Sequence, residues 1–257
     1  MKESLIYRTD AWLICFAVFL LMLFMVYAGY KLHQKRKTET VGLGPIEASL
    51  FGLMGLLLAF TFGMAGSRFD NRRSVIVEEA NDIGTAVLRA DMYNDSSKAA
   101  FKKDFSAYIE ARILYYEAGR DTAKINQTKT VSDKYAGLLW ARASTLSKDP
   151  ANLAATNQMV PALNTMMDVT TVREAALKAR VPDSIVLLLI IMLLVCSFFA
   201  GFALPLDKKI EKLTIIGFAF FTVVVLYVIL DLDRPRRGFI NLDANQQYMK
   251  DLRKLVQ

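Results

Sequence analysis

The sequence predicts an all-α membrane protein, with four transmembrane helices in two hairpins and a helical extramembrane bundle between them. Three observations predict it. Four apolar blocks, each of roughly spanning length, punctuate the 257-residue chain. The apolar fraction of 54% exceeds that of a uniformly soluble chain, yet 22% of residues are charged, so the excess is concentrated. The stretch between the second and third blocks is polar, carries apolar residues at helical spacing and shows no strand alternation.

The first block, 12–30, has no charge. It is longer than a signal-peptide core, its basic residues follow rather than precede it, and no clear small-residue cleavage site appears, so it is expected to stay as a span. The second runs from about Ala48 to Gly66, the third from Ile185 to Leu204, and the fourth from Leu213 to Leu232 with Asp231 at its end. A helix of about 20 residues crosses the ~30 Å hydrocarbon layer. Lipid offers no partner for stray backbone groups, so each block must be helical. Residues 31–44 join the first pair and 205–212 the second.

No proline interrupts the chain between Phe60 and Met92, and Val75, Ala80, Ile83 and Val87 recur at helical spacing. The second span is therefore expected to continue as an amphipathic helix. Asn94 to Ser97 supply a stop and a new cap. A helix follows to about Glu117, with Phe101, Phe105, Tyr108 and Ile109 on its apolar face and Gly119 ending it. A third is expected over about Val131 to Leu146, closed by Asp149-Pro150. A fourth is expected from about Asn152 to Ala179, with Pro161 kinking or restarting it. Asn245 to Val256 read as a short amphipathic tail helix. The domains expected are a first transmembrane hairpin (1–66), a helical extramembrane bundle (67–181), a second hairpin (182–232) and a tail (233–257).

One His and two Cys rule out most zinc, haem and iron–sulfur chemistry, because such sites need clustered ligands, so neither a metal nor a cofactor is expected. Cys15 and Cys196 both lie inside apolar blocks, which argues against a disulfide framework. Nucleophile elbow, P-loop and Rossmann patterns are missing from the sequence, so an enzyme is not expected, nor is a nucleic-acid partner. His33 reads as a solvated loop residue. Glu78 and Glu79, about 100° apart on a helix, read as a solvated or ion-paired face rather than an acid–base pair. Asn126 to Thr128 match a glycosylation acceptor, a short pattern common by chance.

The second span carries Ala48, Gly52, Gly55, Ala59, Gly63 and Gly66 at three- and four-residue steps along one stripe. Small residues let another backbone approach closely. Packing within one chain and approach of identical copies around an axis both fit, and both stay open. Ala48, Gly55, Ala59 and Gly66 are the packing candidates. Leu56 and Phe60 stand at the stripe's edge, one turn apart; a ring of such residues makes a hydrophobic constriction that gates by dewetting. Just past the span come Arg68, Asp70, Arg72 and Arg73, and after the fourth span Asp231, Asp233 and Arg234. Mixed charges at span ends read as a structural ion-pair cluster.

Several of these segments resemble a known family. Gly-Leu-Leu-Leu-Ala-Phe-Thr-Phe at 55–62, Ser-Arg-Phe-Asp-Asn-Arg-Arg at 67–73, Val-Glu-Glu-Ala-Asn-Asp-Ile-Gly-Thr-Ala at 77–86 and Asp-Leu-Asp-Arg-Pro-Arg-Arg-Gly at 231–238 are similar to mostly bacterial membrane proteins described as bestrophin-like. The resemblance covers nearly the whole chain. It implies pentameric ion channels with four spans, a helical cytosolic region and a pore neck on the second span. Counting back from Arg68, the neck falls on Gly52, Leu56 and Phe60, with Gly63 close by. The sequence departs from animal bestrophins at Asp70, where an aromatic is usual, and it has no counterpart of their calcium-binding acidic cluster.

Two functions are carried forward from the sequence. One is a homo-oligomeric channel for monovalent ions, a pentamer favoured, embedded in the inner membrane with bundle and termini cytoplasmic. The alternative is a membrane-anchored sensor or scaffold whose bundle binds a partner or ligand without a pore. Positive charge divides on orientation. Its density favours the short loops inside, with Lys31, Lys35, Lys208 and Lys209, whereas its total number favours the large polar stretch.

Overall fold

The computed structural model describes residues 8–36, 44–204 and 211–257. The helices are α1 (Ala11–Arg36), α2 (Pro45–Arg89), α3 (Asp95–Glu117), α4 (Thr122–Leu146), α5 (Leu153–Lys178), α6 (Asp183–Phe202), α7 (Glu211–Leu232), α8 (Asp243–Asp251) and α9 (Arg253–Val256). Single 3₁₀ turns at Ala90–Met92 and Pro150–Asn152 stand before α3 and α5. No strand occurs among the described residues. Four of the helical segments are long and apolar enough to cross a membrane. The chain divides into two compact units, 1–68 with 180–234 and 69–179 with 235–257.

In the first unit α1 packs on α6 and α7. Two glycines set its closest approach. A Cβ on Gly29 would lie 2.1 Å from the Phe198 carbonyl oxygen, and one on Gly201 would lie 2.0 Å from that of Val26. Real side chains never come so near, so α1 and α6 meet backbone to backbone, as small residues permit. The start of α2 joins them through Phe51, whose ring centroid is 5.9 Å from that of Phe218, and through the Leu50 carbonyl, 3.7 Å from Cys196 Sγ. Cys15 and Cys196 are both buried thiols with no disulfide. His33 corrects the expectation of a solvated loop. It lies in the last turns of α1, 3% exposed, edge-on to Phe202 at 5.4 Å, because α1 continues past the charge-free block to Arg36.

The second unit is built on one apolar core. Ile76, Ile83, Phe101, Phe105, Ile109, Leu139, Leu163 and Met166 are all buried in it, with Leu242 and Met249 from the tail. Local chemistry sets the ends. Asn94 caps α3, its side chain accepting from Ser97 N at 2.8 Å, and Gly119 takes the left-handed φ of +54° that ends that helix. Asp121 caps α4 by accepting from Lys124 N at 3.0 Å, so α4 begins more than two turns before the expected Val131. Pro161 neither breaks nor restarts α5, which runs unbroken from Leu153 to Lys178. The buried Met159, Ala162, Leu163 and Met166 around it anchor the helix through the lost backbone bond. The tail forms two short helices, α8 and α9, instead of one.

Candidate functional site

At 1.5 Å per residue the 45 residues of α2 extend about 68 Å, over twice the hydrocarbon thickness. Within the first unit, Met54, Thr61 and Ala65 are its buried positions. At 100° per residue these stand roughly 180–220° around the helix from Gly52. The small-residue stripe therefore points the other way. A Cβ built on Gly52, Gly55, Gly63 or Gly66 meets nothing within 4 Å. Ala48 and Ala59 are exposed, as are Leu56 at 51% and Phe60 at 63%. Within one chain, the stripe is thus an open face. The close helix contact that small residues make in this chain belongs to Gly29 and Gly201, which sequence reasoning missed. Each is a lone glycine in its block, and only the crossing of two distant helices gives it meaning.

The charged positions beside the spans fall in both units, and each unit is described by itself. Arg68 in the first unit reaches the Met64 carbonyl one turn back at 3.5 Å. In the same unit Asp231, Asp233 and Arg234 are buried. Asp233 accepts from Val181 N at 2.6 Å, tying the end of α7 to the start of α6, and Arg234 N closes a turn onto the Asp231 carbonyl at 2.9 Å. In the second unit Asp70 lies 3.6 Å from Arg73, both exposed. Arg72 is buried and donates to the Ala176 and Ala179 carbonyls at 3.0 and 2.6 Å. A cation there suits the negative end of α5.

Sequence reasoning missed the arginine partners of a buried ionic group, Glu79 of α2 with Arg112 of α3 and Arg173 of α5, none more than 2% exposed. Arg112 Nε donates to one carboxylate oxygen of Glu79 at 2.6 Å, and Arg173 donates to the other. Burial acts to raise the Glu79 carboxyl, but the two guanidiniums outweigh it and hold the group below its ordinary value. The neighbouring Asp82 moves the opposite way, raised by burial and then by Glu78 and Glu79. Tyr108 is also raised, chiefly by burial. The sequence does carry a signal for Arg112. It lies 11 residues after Phe101 and so within about 20° of the same face as Phe101, Phe105 and Tyr108.

Among the described residues no group of His, Cys, Asp and Glu is arranged to hold a metal ion. An all-helical chain with four spanning helices and an ionic-centred helical core is a multi-pass membrane protein. A sequence model of the Bestrophin-like domain matches residues 14–246, and the chain belongs to that family. No curated protein matches it. Its fold is similar to that of a bacterial bestrophin homologue from Klebsiella pneumoniae. A tryptophan-to-alanine variant aligns with TM-score 0.76 and 12% identity over 96% of this chain and 97% of that one. A tyrosine-to-alanine variant aligns with TM-score 0.71 and 15% identity over 93% and 97%. The homologue phased with zinc aligns with TM-score 0.72 and 13% identity over 94% and 96%. At these identities the likeness is one of fold.

Proposed function

We propose that this protein is a bestrophin-type ion channel and not an enzyme, assembled as a homo-oligomer, a pentamer favoured. Segments 1–66 and 182–232 form its membrane part, 67–181 its extramembrane bundle, and 233–257 a tail. It sits in the inner membrane, and bundle and termini face the cytoplasm. Gly52, Leu56, Phe60 and Gly63 line the axis, with Ala48, Gly55, Ala59 and Gly66 giving room for neighbouring copies. Beyond family membership, the observation that carries this reading is the open stripe on α2, where a Cβ at Gly52, Gly55, Gly63 or Gly66 meets nothing within 4 Å among the described residues. Monovalent ions are the expected cargo.

An aliphatic–aromatic ring offers no polar ligand in place of an ion's hydration shell, so it acts as a barrier. The Leu56→Ala, Phe60→Ala double variant should therefore raise ion current in reconstituted bilayers. Both side chains are exposed within the chain, so truncation should leave its melting temperature near wild type. An intact oligomer of the double variant that stays silent across Na⁺, K⁺ and Cl⁻ gradients would remove these residues from the pore. A current unchanged by the substitutions would move the pore to another face of α2. A membrane-anchored sensor is the second reading, favoured by the ligand-sized cavity in the bundle. Oligomeric state separates the two, since a monomer or dimer leaves no axis for α2 to line.

A further inference from the structure

The second unit holds a cavity of about 470 Å³, within the size range of small-molecule sites. Its walls are the end of α3, the turn at Gly119, the 235–241 segment and α8. Four cationic side chains line it, Arg120, Arg236, Arg237 and Lys250, with two carboxylates, Glu117 and Asp243, and Arg120 and Arg237 have further partners in the fold. One carboxylate is already engaged, because Lys250 bonds Glu117 at 3.0 Å. Asp243 accepts from the Tyr116 hydroxyl at 3.1 Å. Arg236 donates to the Tyr115 and Gly119 carbonyls at 3.2 and 3.1 Å and lies over the Tyr115 ring at 4.7 Å. Its positive charge is thus met by neutral groups.

Gln246 is the second observation. It lines the same cavity and is only 5% exposed. Its Oε1 faces Arg173 Nη2 at 3.4 Å, which assigns the other amide atom as Nε2. That buried N–H₂ group has no hydrogen-bond partner among the described residues. A buried donor left unpaired costs about 1–3 kcal/mol in a native fold, so it marks a place where an acceptor belongs. Behind Gln246 stands the Glu79–Arg112–Arg173 group, which carries two positive charges against one negative. The Arg236 guanidinium is held below its usual value by burial, with Arg173 adding to the effect. An anion placed here gives the unpaired donor an acceptor and meets Arg236, whose partners at Tyr115 and Gly119 are neutral.

We propose that this cavity binds a small organic anion. Its carboxylate or phosphate oxygens are received by Gln246 Nε2 and the arginines, and its uncharged remainder lies toward Tyr116 and Asn241. The site stands whether or not the chain conducts ions. The test is calorimetry on the detergent-purified full chain at low salt, with citrate as the carboxylate probe and inorganic phosphate as the phosphate probe. Saturable binding of either is expected, and which of the two binds names the oxyanion. Gln246→Leu and, separately, Arg237→Gln should weaken it about tenfold or more, the scale of one hydrogen bond to a charged group. Lys124→Ala, remote from the cavity lining, should leave it unchanged. Because Gln246 is buried, melting temperatures accompany each titration; Arg237 is half-exposed, so its variant keeps the test open if Gln246→Leu does not fold. Absence of binding by both probes overturns the proposal. So does binding that folded Arg237→Gln retains at wild-type strength.

Discussion

Glu79 concentrates the energetics of single residues in this protein. Its carboxylate is fully buried between two guanidiniums. Removing it strands two buried positive charges, a change that costs about 3–5 kcal/mol in comparable sites. Glu79→Gln should therefore lower the melting temperature of the purified chain markedly at neutral pH. Replacing the whole group, as in Glu79→Leu with Arg112→Met and Arg173→Met, should recover much of that loss, since no buried charge is then left to be desolvated or unpaired. A triple variant less stable than Glu79→Gln would contradict this account. The pH dependence has a definite sign. The folded carboxyl lies below its ordinary value of 4.5, so its stabilisation is complete above the unfolded value and is lost as pH falls through the folded one. Wild-type stability should decline as pH falls below about 4.5, and Glu79→Gln should flatten that decline. Half of this arrangement was legible in the sequence. A solvated or ion-paired face at Glu78 and Glu79 was expected; Glu79 is buried and ion-paired, but its two arginines come from helices far away in the chain, and nothing local pairs Arg173 with Glu79.

Among the elements, the contrast between two sets of glycines gives the sharpest prediction. Gly29 and Gly201 sit where α1 and α6 touch through their backbones, so Gly29→Ala and Gly201→Ala force the helices apart. Overpacking of this kind costs about 1–3 kcal/mol and more where backbone must move. Gly52→Ala and Gly63→Ala meet open space within the chain and should leave its own fold undisturbed. Thermal unfolding of the four variants in detergent checks the difference, and a loss of stability at Gly52 equal to that at Gly29 would refute it. The helices themselves were largely legible, because length, hydropathy and cap residues are local. The early start of α4 was not, since Thr122 to Thr130 carry few apolar residues to mark a face and the Asp121 cap stands among other polar groups. Nor was the continuity of α5 through Pro161, which depends on packing from other helices.

For the whole molecule, accessibility tests the proposed orientation. Lys124 and Lys35 are both exposed, and the native Cys15 and Cys196 are buried thiols. With the bundle in the cytoplasm, a cysteine placed at Lys35 should react with an impermeant maleimide added to intact cells, while one at Lys124 stays unlabelled. The reverse pattern would place the bundle outside. The α1–α6 contact also has a consequence for biosynthesis. Gly29 leaves the ribosome about 170 residues before Gly201, an interval of roughly 10–30 s at 5–20 residues per second. The first span must therefore wait in the lipid for its partner, and entry into the bilayer is separated in time from assembly within it. A chain that lost its last two spans to premature termination would leave the first hairpin inserted with its backbone-contact face bare to lipid, a surface ready for quality-control proteases to recognise.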